Sequence, residues 1–246
     1  MPAPGHQGVP VTAAVVSLYM WTMGILGIGL VLIAGIVMSY LSPPRSWDPW
    51  FKRMLRVWFR ILFIRIVTEG TEKIRKDRTY VFMSNHVSLF DVPVLAACIP
   101  VFVRGVEADR QFKWPVYGFA VKRFGNIPID RSSVHASISS IRRAVRKLRE
   151  GTSIVIMPEG HRTLDGRMRP FKKLPFHLVR ESGCDLVPVG LSGLFQLKAK
   201  QSWLIRPTRI KVKFGNPVPA GEIREMSVEA VSERTRDAIR SLIERP

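Results

Sequence analysis

The 246-residue chain is predicted to be α/β: a mostly parallel sheet of about seven strands flanked by helices, behind an N-terminal membrane helix or helical hairpin. Three observations predict this. From about Phe63 onward, short runs rich in β-branched and apolar residues alternate with helical patterns. Such alternation marks a parallel sheet covered on both faces. The stretch from Val11 to Leu41 is apolar and carries no charge. The formal charge is +19, and no Lys, Arg, Asp or Glu lies between Met1 and Pro44, so all of the basic excess belongs to Arg45 onward.

At about 1.5 Å per residue the apolar run exceeds the ~30 Å hydrocarbon core of a bilayer, so it is long enough to span with tilt or to bend back on itself. Gly24, Gly27, Gly29 and Gly35 leave both options open, and Tyr19, Trp21 and Tyr40 suit the interface. A secretory signal would want positive charge in front and only about 7–15 apolar residues. Pro43 and Pro44 stop the segment. The expected organisation is therefore an apolar anchor over residues 1–44, then a basic interfacial helix and an α/β domain over residues 45–246.

Arg45, Lys52, Arg53, Arg56 and Arg60 follow the apolar run and nothing basic precedes it. The positive-inside rule then expects the domain on the cytoplasmic face of the cell inner membrane. In FKRMLRVWFRILF, Lys52, Arg56 and Arg60 recur every fourth residue among Leu55, Trp58, Phe59 and Leu62. That spacing fits a basic amphipathic helix on anionic headgroups, or a surface helix packed on the domain. Its place beside the membrane segment favours the first.

The strand candidates are FIRIVTE, YVFMS, PVFV, NIPI, SIVIM, DLVPVG and RIKVKF. The clearest helix runs from Ser133 to Glu150, with Val134, Ile138, Ile141, Val145 and Leu148 on one stripe and Arg142, Arg143, Arg146, Lys147 and Arg149 opposite. Gly151 stops it. Two more helices are expected from Phe171 to Ser182 and from Ser227 to Glu244. Cys98 and Cys184 lack metal-ligand spacing and read as free thiols.

The chemistry concentrates in YVFMSNHVSLFDVPVL, where an apolar strand ends at Ser84 and His86 and Asp91 follow. Pro93 suits a helix start, with Asp91 as its N-cap. On one straight helix His86 and Asp91 would diverge by about 140° at ~100° per residue, so they meet only if the chain turns between them. A carboxylate bonded to one imidazole nitrogen fixes the tautomer and frees the other nitrogen as a base. No protein nucleophile is apparent: GLSG around Ser192 is not a G-x-S-x-G elbow, and Ser88 lies inside the turn itself. A His–Asp pair without a nucleophile suggests that the substrate brings its own hydroxyl, as in acyl transfer to an alcohol. Such a base contributes about 10²–10⁴ in rate, leaving thioester polarisation and positioning to supply the rest.

Three further strings belong with it. FGNIPIDR delivers Arg131 just after a short strand, and MPEGHR places Glu159 and Arg162 around Gly160. RPFKK opens a helix, where free N–H groups, the dipole and Lys172 or Lys173 suit an anion. Ligands of α/β sheets collect beyond the carboxyl ends of strands, so these strings can line one basic pocket. Singly, each has a plain structural explanation. A nucleic-acid partner is not expected, because no recognised motif or basic stripe interleaved with aromatics is present.

Together these strings resemble the glycerolipid acyltransferase family that contains bacterial 1-acylglycerol-3-phosphate acyltransferase. NHVSLFD matches its first motif, GNIPIDR its second, MPEGHR its third and LVPVG its fourth; FGNPVP also fits, and the resemblance spans about Gly70 to Pro219. It implies that His86 deprotonates the acceptor hydroxyl, with Asp91 orienting it. Arg131, Glu159, Gly160 and Arg162 would help to bind a glycerophosphate acceptor, and Pro188 would shape the acyl-binding region. The resemblance further implies acyl-CoA or acyl carrier protein as donor, a lysophospholipid acceptor, work at the membrane, and neither metal nor organic cofactor. The chain departs from the family pattern at His161, where Thr is usual, and in FKKLPF, where small residues commonly follow the lysines. These departures bear on the acceptor headgroup, for which glycerol-3-phosphate, a lysophospholipid or a lyso-aminolipid are the alternatives. A non-catalytic protein binding anionic lipid would need only charge and anchor, and would leave His86 and Asp91 unexplained.

Overall fold

The computed structural model of the protein describes residues 10–130 and 133–244; Arg131 therefore lies outside the described residues. The chain opens with α1 (Val11–Leu41) and α2 (Pro44–Ile61), then β1 (Arg65–Glu69), β2 (Tyr80–Ser84), α3 (Asp91–Cys98), β3 (Val103–Ala108), α4 (Tyr117–Phe124) and β4 (Ile127–Ile129). It continues with α5 (Val134–Arg149), β5 (Ser153–Ile156), α6 (Leu174–Ser182), β6 (Asp185–Ser192), α7 (Leu194–Leu197), β7 (Arg209–Phe214), α8 (Ala220–Glu225) and α9 (Val228–Leu242). Seven strands form one sheet in the order β1-β7-β6-β2-β5-β3-β4. Every pairing is parallel except β6 with β7.

The central strand β2 shows why the sheet has two covered faces. All five of its residues are buried, and pleating sends them alternately to opposite sides. Tyr80 and Phe82 join a core with Leu55, Phe59, Val94 and Leu95 from α2 and α3. Val81 and Met83 join the other, with Ile141 and Leu148 of α5, Phe176 of α6 and Ile239 of α9. Each large apolar side chain so buried contributes about 1.5–3 kcal/mol. The carboxyl ends of β2, β5 and β6 face the same way, which gathers the loops after them at one end of the sheet.

The front end does not bend back within residues 11–41. The helix α1 is unbroken, about 46 Å long at 1.5 Å per residue, and it is the one described helix long and apolar enough to cross a membrane. The reversal comes after it, at Ser42 and Pro43, and α2 then folds back along α1. Tyr19 donates to the Ile61 carbonyl at 3.0 Å, Gly27 faces Trp58, and Gly35 faces Phe51 and Phe124. The hairpin is thus made of α1 and α2. Other ties join α1 to the domain: the Ile205 N–H donates to Ser17 Oγ at 3.0 Å, and Trp21 Nε1 donates to the Trp203 carbonyl at 2.7 Å.

Several elements differ from the sequence reading. Lys52 is buried, not on a headgroup-facing stripe: its ammonium lies 2.7 Å from Asp48 Oδ2 and donates to the Val101 carbonyl at 2.6 Å. Burial pushes its pKa down, against the attraction of Asp48. The same carboxylate takes Arg104 at 3.2 Å, so Asp48 is shared by two cations. The exposed face of α2 mixes Trp50, Val57 and Ile61 with Arg53, Arg56 and Arg60. The strand expected at PVFV begins later, at Val103, because Pro100 has no N–H for a ladder and sits in a bend. The helix expected from Phe171 starts at Leu174, and the Lys172 N–H ahead of it donates to the Pro158 carbonyl at 2.8 Å.

Candidate active site

The loop after β2 carries His86, and the chain turns before α3 so that Asp91, the first residue of that helix, points back at it. Asp91 Oδ2 lies 2.7 Å from His86 Nδ1. The same carboxylate accepts the Val87 N–H at 2.7 Å and the Ser88 N–H at 2.9 Å, and Asp91 is fully buried. It therefore does not cap its own helix as the sequence suggested. Its oxygens are spent on the loop before it, which closes the turn and grips the imidazole. With Nδ1–H held by the carboxylate, Nε2 is left as acceptor. The His86 side chain is 20% exposed while the carboxylate is sealed away.

Two further anchors hold the loop. Asn85 donates to the Leu191 carbonyl at 3.0 Å and accepts its N–H at 2.8 Å, zipping the loop to β6. Ser88 is buried and its hydroxyl donates to the Lys198 carbonyl at 2.9 Å, which gives it a structural occupation.

The loop after β5 packs directly on this one. Glu159 Oε1 accepts the His86 N–H at 2.7 Å, and Oε2 accepts the Arg169 N–H at 2.7 Å. The Thr163 N–H donates to the His86 carbonyl at 2.9 Å. Burial pushes the Glu159 carboxyl above its ordinary value, while the Arg169 and His86 N–H groups pull it back. Gly160 makes the tight turn at φ +77°, a conformation that favours glycine. The Lys172 N–H closes the loop on the Pro158 carbonyl at 2.8 Å.

The structure thus brings His86, Asp91, Glu159 and Gly160 together and sets Arg162, half-buried, beside Thr163. The Lys172 side chain is exposed at the loop's closing end. Lys173 is held by Glu229 at 2.7 Å, and Thr163 gives its hydroxyl to Asp165 at 2.7 Å. Pro188 is buried within β6, in register with Met83, and its carbonyl accepts the Gly215 N–H at 2.8 Å. Sequence reasoning missed Asn85 and Lys198. Asn85 stands next to the histidine and was open to notice, whereas Lys198 comes close only through the fold.

Residues 65–192 match the family model described as Acyltransferase. The chain belongs to the acyltransferase family. Among its relatives, a 1-acyl-sn-glycerol-3-phosphate acyltransferase of Limnanthes douglasii is 34% identical over 165 residues, covering 67% of this chain and 57% of that protein. The 1-acyl-sn-glycerol-3-phosphate acyltransferase alpha of Bos taurus is 28% identical over 195 residues, 76% of this chain and 66% of its own. The alignment with the Limnanthes protein thus spans little more than half of that relative's length. In fold, the chain is similar to the crystal structure of the 1-acyl-sn-glycerophosphate acyltransferase PlsC from Thermotoga maritima. The TM-score is 0.80, at 22% identity, over 94% of this chain and 95% of that one.

Proposed function

We propose that the protein transfers a fatty acyl group from acyl-CoA or acyl carrier protein to the sn-2 hydroxyl of lysophosphatidate, giving phosphatidate for phospholipid synthesis. The observation that carries this reading is the 2.7 Å bond from His86 Nδ1 to a fully buried Asp91, with the His86 side chain partly exposed and no nucleophilic side chain bonded to its ring among the described residues. The names of the relatives support the acceptor.

In this reading the acceptor hydroxyl binds to His86 Nε2. As its oxygen attacks the thioester carbonyl, the proton passes to Nε2 and Asp91 stabilises the imidazolium. Collapse of the tetrahedral intermediate breaks the C–S bond, and the proton moves from His86 to the departing thiolate. No acyl group is held on the protein. Arg162, Arg131 and Lys172 supply positive charge for the acceptor phosphate. Glu159 and Gly160 act through the loop that carries Arg162 and braces His86. The anchor of residues 1–44 and the apolar and basic face of α2 hold the enzyme at a membrane, on the cytoplasmic face of the inner membrane by the placement of basic residues.

The test is thiol release from acyl-CoA and from acyl carrier protein by detergent-solubilised protein, with and without lysophosphatidate, for wild type and His86→Ala. Acceptor-dependent release that disappears in the variant supports the reading. Release unaffected by the substitution removes His86 from the mechanism. Release stimulated by a lyso-aminolipid and not by lysophosphatidate would move the acceptor to the alternative that His161 raises.

A further inference from the structure

Lys198, the residue that follows α7, stands out among the cations of the active end. Only 6% of it is exposed, and its ammonium donates to one neutral group, the carbonyl of Ala199 at 2.9 Å. No carboxylate faces it among the described residues. The ring of Trp21 from α1 lies 5.6 Å from the ammonium, and the Trp21 indole is itself fixed to the Trp203 carbonyl at 2.7 Å. The charged group near it is another cation, Arg162. Burial pushes the Lys198 pKa down, and Arg162 pushes it further the same way. A buried ammonium without a counter-anion is costly, and a second positive charge beside it adds to the cost.

Both cations are tied to the loop that carries the base. Ser88 Oγ donates to the carbonyl of Lys198 at 2.9 Å, and the Thr163 N–H, next to Arg162, donates to the carbonyl of His86 at 2.9 Å. Arg162 also makes no ion pair among the described residues. Two unpaired cations are thus attached from separate strands of the sheet, one after β5 and one after β6, to the two ends of His86–Ser88.

We propose that Lys198 is an acceptor-binding residue, the second arm with Arg162 of a clamp for a lipid-linked phosphate monoester. The inference rests on the acyl-transfer reading given above. A phosphate monoester carries about −1.5 to −2 charge near neutral pH and takes two cations where a phosphodiester or a neutral headgroup would not. In lysophosphatidate the phosphorus lies only four bonds from the reacting hydroxyl oxygen, so its cations belong beside the base. The phosphates of a nucleotide-linked donor are separated from the thioester by a long arm and belong further out. The contact with Trp21 puts Lys198 beneath the apolar helix, on the side from which a membrane lipid arrives. Its lone backbone partner leaves the ammonium free to turn to an incoming phosphate and end the repulsion by Arg162.

The experiment uses the full-length protein in detergent without acyl donor. Tryptophan fluorescence follows binding of 1-oleoyl-lysophosphatidate and of 1-oleoylglycerol, which has the same chain and no phosphate. Wild type is expected to prefer lysophosphatidate. Lys198→Met should weaken lysophosphatidate binding about tenfold or more while 1-oleoylglycerol binding does not change, and Lys198→Arg should restore most of the difference. Equal lysophosphatidate binding by Lys198→Met and wild type overturns the proposal, and so does a parallel loss of both ligands, which marks a structural lysine. Turnover of lysophosphatidate by the same wild-type preparation separates the two levels. Turnover with Lys198→Met binding unchanged removes only Lys198, whereas no turnover and no preference for the phosphate removes the acceptor reading and the clamp with it.

Discussion

Glu159, in the loop after β5, accepts the backbone N–H of His86 at 2.7 Å. Its second oxygen accepts the Arg169 N–H at 2.7 Å, so the carboxylate ties the two loops together. The loop that carries His86 is thus positioned by a residue three strands of sequence away.

Glu159→Gln should separate bracing from substrate binding. The amide keeps one accepting oxygen and turns an NH₂ toward the other backbone N–H. The loss of one buried hydrogen bond should lower stability by about 1–3 kcal/mol, with kcat falling more than the acceptor KM rises. Thermal melting and steady-state kinetics read the two effects, and a change confined to acceptor KM would mark Glu159 as a substrate-binding residue.

The same residue gives a pH dependence. Because burial raises the Glu159 pKa, its carboxylate is protonated at a higher pH than an exposed glutamate would be. A carboxyl whose pKa is raised by folding binds its proton more tightly in the closed loop than in the open one, so chymotrypsin resistance of the loop should hold or rise on mild acidification and fall as pH rises through the raised value. Loop proteolysis that increases on mild acidification in wild type and not in Glu159→Gln would contradict this sign.

His86→Ala should cost about 10²–10⁴ in turnover and leave lysophosphatidate binding in place. Asp91→Asn should be as harmful to turnover and should in addition destabilise the fold, since its carboxylate accepts two backbone N–H groups besides the imidazole. Circular-dichroism melts beside kinetics distinguish the pair; equal melting of wild type and Asp91→Asn would contradict the gripping role of the carboxylate.

Burial pushes the Cys98 thiol up to about 11. At pH 8 the thiolate fraction is then about 10⁻³, so iodoacetamide should label Cys98 only after unfolding and leave activity intact. Half-exposed Cys184 should label first. Mass spectrometry of native and denatured samples settles the order.

A Cβ on Gly27 would stand 2.4 Å from Trp58 Cδ1, whereas one on Gly29 would meet nothing within 4 Å. Gly27→Leu should therefore cost about 1–3 kcal/mol through overpacking, and Gly29→Leu should leave the melting temperature in detergent unchanged. Equal effects would mean that α1 is not seated on α2 as described.

What was legible in the sequence was local. RIKVKF forms β7 without a residue to spare, Ser133 caps α5 through Ala136, and Gly183 ends α6 at φ +67°. The His86–Asp91 pair could be anticipated because five residues of loop decide it. Lys52 could not be placed, since its partner Asp48 is close in sequence but its burial depends on Val101 and Arg104 folding over it. Helical spacing counts faces and does not say which face meets the domain. Lys198 was invisible for the same reason: its neighbours Trp21, Ser88 and Arg162 come from three distant stretches.

The seating of α1 has a consequence for how this enzyme can be rebuilt. A generic tether grafted in place of residues 10–42 would restore attachment and strand the groups that α1 serves: the Ile205 amide, the Trp203 carbonyl and the faces of Trp58 and Phe124. One of the residues removed with α1, Trp21, belongs to the surroundings of Lys198. The apolar helix and the α/β domain are therefore not interchangeable cassettes, and a swapped or trimmed front end changes the folded domain as well.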